Sequence, residues 1–92
     1  MTDKQAQQAQ LAMLAANVRT AGERVFETEK ELAQATENWF SAIKQYSSRD
    51  VRTAAAQRNA VEVGVRLVRL KSEYIEHQKK ALAAKRGPLA LS

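Results

Sequence analysis

Leu11, Val18, Val25, Leu32, Trp39 and Tyr46 stand seven residues apart, and Leu14, Ala21, Thr28, Ala35 and Ala42 follow the first five of them by three. Apolar positions that alternate three and four apart over five repeats describe a helix packing along one seam against another helix. A strand would need a period of two, and loops need glycine and proline, of which the chain has three and one. One row of the seam is large and the other mostly small, so a partner helix can approach closely along the small row.

The ends of the helices are marked. Thr2 with Gln5 three residues later forms a capping-box pattern, and Asp3 suits the positive end of the helix dipole. Only Gly22 interrupts good helix formers between Lys4 and Tyr46, so the first helix is predicted over about 3–46. Ser47-Ser48-Arg49-Asp50 breaks the pattern, and Ser47 with Asp50 repeats the capping-box spacing. The turn is therefore expected at about 47–49 and a second helix over about 50–86, closed by Lys85, Arg86, Gly87 as a left-handed cap and Pro88, with 87–92 as a tail. Residues 1–92 read as one domain.

Ala56, Ala60, Val63, Leu67, Leu70, Tyr74, His77, Ala81 and Ala84 supply the matching row of the second helix. Folding about Ser48 sets Trp39 and Tyr46 against Ala54, Ala55, Ala56 and Ala60, and Leu32 against Val63 and Leu67, large against small. A second row remains at Val61, Val65, Val68, Ile75 and Leu82, rotated by about 100° from the first, and Phe26, Phe40 and Ile43 lie off the main row of the first helix. Ninety-two residues in one hairpin cannot bury all of these. The expected fold is all-α, a two-helix antiparallel coiled-coil hairpin that dimerises into a four-helix bundle, with Val61, Val65, Val68, Ile75, Leu82, Phe26 and Phe40 as the oligomer or partner interface. Trp39 is expected inside and Phe40 as the better contact residue, while Lys71 and Gln78, between the two rows, could set register or oligomer state.

Composition excludes several chemistries. There is no cysteine, hence no disulfide and no thiolate metal site, and the single His77 has no second histidine as a co-ligand, so neither metal nor cofactor is expected. Gly22, Gly64 and Gly87 are too far apart to form a phosphate-binding loop, and Glu27, Glu29, Glu31 and Glu37 scatter around a helix. No enzymatic function and no small-molecule substrate are expected. Polar glutamines fill the N-terminal segment where a signal peptide would be apolar, and no run is long enough to span a membrane, so a soluble cytoplasmic setting is expected.

The net charge of +5 is uneven: residues 1–46 hold five basic and six acidic side chains, residues 47–92 ten and four. Nucleic acid is therefore a candidate partner. Yet Arg58, Glu62 and Arg66 stand four apart, as do Arg69 with Glu73 and Glu76 with Lys80, a spacing suited to salt-bridged ladders on a solvent face. Arg49 and Arg52 at the tip and Lys79, Lys80, Lys85 and Arg86 at the far end are left as contacts for an anionic partner. No zinc-finger, RNA-recognition or basic-zipper pattern accompanies them.

Secreted WXG-type hairpins are similar in length, but Trp39-Phe40-Ser41 lacks their glycine, and Tyr74 is followed four positions later by Gln78 in place of an acid. Ala35-Thr36-Glu37-Asn38-Trp39, Ser47 to Asp50, Arg58-x-Ala60 and Gln78-Lys79-Lys80-Ala81 resemble small phage-encoded helical hairpins that dimerise and bind host regulators, over roughly Ala35 to Ala81. The first helix here is longer than in the shorter members of that group. The resemblance implies a homodimer that sequesters or inhibits a host regulatory protein, and it carries over no catalytic residue. The function expected is a non-enzymatic protein–protein interaction module; the alternatives are a basic nucleic-acid-associated helper and a structural or secretion-assembly coiled coil.

Overall fold

The computed structural model describes residues 2–86 and folds them into two helices, α1 (Asp3–Tyr46) and α2 (Val51–Arg86), with no strand among the described residues. They form an antiparallel hairpin with extents of 65 × 23 × 13 Å. The expected cap at Gly87, the stop at Pro88 and the tail lie outside the described residues.

The start of α1 is the capping box anticipated from Thr2 and Gln5. The Gln5 amide donates to Thr2 Oγ1 at 3.2 Å and the Thr2 amide to Gln5 Oε1 at 3.1 Å, so two amides with no helical partner are satisfied reciprocally. The turn departs from the sequence reading. Ser47 does not cap α2; it ends α1, with φ at 106° and its amide donating to the Ile43 carbonyl. Asp50 caps α2 instead, its Oδ1 accepting from the Arg52 amide at 2.8 Å, so α2 begins at Val51 and the turn includes Asp50. An aspartate two residues ahead of a free amide does the work assigned to the serine.

Thr53 ties the two helices together at this end. It is 2% exposed, and its hydroxyl lies 2.6 Å from the Ser47 carbonyl and 3.2 Å from that of Ala42, which holds the first turn of α2 against the last turn of α1. Ala54 and Ala55, expected to face Trp39 and Tyr46, are exposed. Thr53 occupies that place because it extends by seven the row Ala60, Leu67, Tyr74 and Ala81.

Every position of the two predicted seams is buried or half-buried. Full burial falls on the small row of α1, at Ala21, Thr28, Ala35 and Ala42, and on Thr53, Ala60, Val63 and Leu67 of α2. Leu32 and Trp39 close over the cluster of Ala35, Ala60 and Val63. At Gly22 the ring of Tyr74 comes so close that an added Cβ would stand 3.3 Å from its Cε1, tighter than ordinary packing.

The resulting core is thin. Its buried apolar residues are four alanines, one valine and one leucine. The radius of gyration is 20.3 Å, against about 12 Å for a compact domain of this length. The surface of 7240 Å² exceeds the roughly 5,300 Å² of a compact monomer of the same mass.

Thr53→Val keeps the shape of the side chain and leaves the Ser47 and Ala42 carbonyls without their hydroxyl. At fixed protein concentration it is expected to lower stability by about 1–2 kcal/mol, read from the urea midpoint with helicity unchanged.

Candidate interaction surface

The two sides of the seam differ in chemistry. Phe26, Ala33 and Phe40 each follow a member of the large row of α1 by one residue, and Val61, Val68, Ile75 and Leu82 follow Ala60, Leu67, Tyr74 and Ala81 of α2 in the same way. Equivalent flanks of an antiparallel helix pair lie on the same side, because the two-fold relating the helices runs perpendicular to the plane that contains them. The flat hairpin thus carries Phe26, Phe40 and Ile43 from α1 and Val61, Val68, Ile75 and Leu82 from α2 on one face.

Exposure agrees with this placement. Phe26 is 57% exposed, Phe40 54% and Val68 70%, and Val61, Ile75 and Leu82 are about half exposed or more. Val65 is exposed too, but stands farther around α2, beside Glu62 and Arg69. Met13 and Val51 are exposed and lie off this face. Trp39 is half-buried and stacks on the exposed Phe40 ring at 5.7 Å between centroids, so the seam and the apolar face are continuous near the tip. At the other end Val18, Gln78, Ala81, Leu82 and Lys85 line a shallow groove on the same face.

The opposite face is polar. Glu31, Gln34, Asn38, Asn59 and Arg66 line it over Ala35 and Val63, and Arg66 Nη1 meets Glu31 Oε2 at 2.9 Å. This pair replaces the expected ladder of Arg66 with Glu62, since a carboxylate across the seam is as near as one a turn away along α2. On the apolar face the one cross-helix ion pair among the described residues is Lys71 Nζ with Glu29 Oε1 at 3.7 Å, both about half exposed. Surface pairs of this kind contribute little to stability, about 0–1 kcal/mol each.

Two of the six cations proposed for an anionic partner are already engaged. Arg52 binds Asp50 through two hydrogen bonds of 3.0 Å and lies 3.6 Å from the centroid of the Tyr46 ring, so it belongs to the turn and is not a free tip cation. Lys79 pairs with Glu76 at 3.6 Å, three residues away on α2, where the sequence pattern pairs Glu76 with Lys80. Arg49, Lys80, Lys85 and Arg86 are exposed. The Arg52 side chain, hydrogen-bonded to the Asp50 carboxylate, is the main cause that lowers its pKa from 3.8 to about 2.

No helix among the described residues is long and apolar enough to cross a membrane, and no group of three or more His, Cys, Asp or Glu side chains gathers among them. No protein-family model, curated protein or solved structure matches the chain.

The sequence reading found each exposed apolar residue of this face but not that the rows of both helices share it. Lettering each helix by sevens and reversing one would have shown it.

A carboxyl whose folded pKa is lowered stabilises the fold fully above its unfolded pKa of about 4 and loses that contribution as pH falls towards 2. Between pH 5 and pH 2 the melting temperature of Asp50→Asn is therefore expected to fall less than that of the unaltered protein, in parallel calorimetric scans. Equal falls would show that the Asp50–Arg52 contact does not carry the dependence.

Proposed function

We propose that this chain is a non-enzymatic protein–protein interaction module that associates through its apolar face. The observation that carries the reading is the gathering of Phe26, Phe40, Ile43, Val61, Val68, Ile75 and Leu82 on one side of a hairpin whose other side is polar. From Leu82 to Ile43 the stripe is roughly 45 Å long and about two helices, ~20 Å, wide. An area of roughly 900 Å² per chain compares with the ~800 Å² that each partner contributes to a stable interface. The exposed Phe40 stacks on the half-buried Trp39, and aromatic residues are enriched in the buried centres of interfaces.

The resemblance of Ala35 to Ala81 to phage-encoded hairpins supports the finer reading, an inhibitor or sequestering adaptor of a regulatory protein. A nucleic-acid helper is supported by the ten basic residues of the second half. It is weakened by the engagement of Arg52, Arg66, Lys71 and Lys79 with carboxylates, which leaves no continuous basic stripe on either face.

Val61→Asp with Val68→Asp places two charges in the middle of the stripe at positions that the hairpin leaves in solvent. The pair is expected to abolish association, read as mass by light scattering, while far-ultraviolet circular dichroism remains that of the parent; an unchanged mass would refute the surface. Salt separates the two partner classes. Association through the apolar face is expected to change less than about threefold in Kd between 50 and 200 mM salt, whereas binding through six or more phosphate contacts falls by about a thousandfold or more.

A further inference from the structure

Resting on the reading that the apolar face associates, we infer that its occupant is a second copy of this chain, stacked face to face with the two hairpin tips at the same end of a four-helix bundle. Three observations on that face support the arrangement. The first is the position of its ion pair. Leu32 faces Gly64 and Gly22 faces Tyr74 across the seam, and this register puts the Glu29–Lys71 pair close to the midpoint of the stripe that runs from Leu82 to Ile43.

A charge pair at the midpoint discriminates between the two ways of closing a two-fold dimer. Turning one hairpin end over end lays α1 on α1 and α2 on α2, which brings Glu29 over Glu29 of the other copy and Lys71 over Lys71. Rotating it about the long axis lays α1 of one copy on α2 of the other. Glu29 and Lys71 then alternate around one layer, each carboxylate between two ammonium groups.

Size complementarity is the second observation. With the tips together, three of the four large residues of α2 on this face meet small residues of α1 in the second copy: Val61 faces Ala33 and Thr36, Ile75 faces Gly22, and Leu82 faces Ala12 and Ala15, while Val68 meets Phe26. On the other edge Phe40 faces Ala54 and Gln57. Large side chains entering small-residue positions allow two apolar faces to close without voids.

Gly64 is the third. It sits inside α2 on the apolar side of the seam, where glycine weakens a helix. The hairpin itself has no need of it, since an added Cβ would meet only Leu32 Cδ1, at the ordinary contact distance of 3.9 Å. Its bare backbone leaves room for the facing helix of a second copy.

The chain has no cysteine, so Ser48→Cys supplies a single spin-label site at the exposed tip. Pulsed dipolar spectroscopy on the labelled full chain is expected to give one distance under about 30 Å, because stacked helix layers lie ~10 Å apart. The end-over-end dimer would give about 60 Å, twice the 20-residue rise from the stripe midpoint to the tip. A two-chain mass with the long distance would overturn the orientation alone, whereas a one-chain mass with no dipolar signal would overturn both the dimer and association through this face in the free protein. As a second measurement, Lys71→Glu is expected to raise the dimer Kd at least tenfold with helicity kept, and adding Glu29→Lys to restore it; an unchanged Kd in the single variant would remove the alternating layer.

Discussion

The structure depends on a seam built from small residues. Ala21, Thr28, Ala35 and Ala42 return every seventh position of α1, and they are the fully buried residues of that helix. A row of this size lets the backbones of the two helices approach closely, at a cost: of the larger apolar side chains among the described residues, only Val63 and Leu67 are buried between them. Leu32, Trp39, Tyr46 and Tyr74 pack at the edges of the seam and are only partly buried. The thin core, the elongated shape and the apolar residues left outside all follow from that one constraint.

The second consequence is a hairpin with two unlike faces. Each helix carries an apolar row one position beyond its seam, and antiparallel pairing brings the two rows to one side. On the other side Glu31, Gln34, Asn38, Asn59 and Arg66 face solvent. Burial of the apolar face against protein extends the core that the seam begins, because side chains such as Phe40 already rest on seam residues such as Trp39. For a four-helix bundle the seam would then form only one wall of the core.

Much of this was legible in the sequence, because periodicity depends on backbone geometry that hardly varies. The heptad positions of both helices, the capping box at Thr2 and the apolar character of Val61, Val68, Ile75 and Leu82 needed only spacing and residue type. The turn was harder, since Ser47 and Asp50 satisfy a capping-box pattern while the geometry uses Asp50 alone and leaves Ser47 with a positive φ. Thr53 was hidden by its polarity, although it stands in register with Ala60, and its value lies in two carbonyls that only the fold brings near it. Ion pairs were least legible. Sequence shows neighbours along a helix, whereas Arg66 and Lys71 find carboxylates on the other one.

The central claim is that this face is covered by protein in solution, and small-angle scattering on the unmodified chain addresses it without any substitution. Pairing face to face predicts a scattering mass twice the 10.2 kDa of one chain, a maximum dimension still near the 65 Å of one hairpin, and a thicker cross-section. A mass of one chain at micromolar concentration, with the cross-section of a single helix pair, would contradict it.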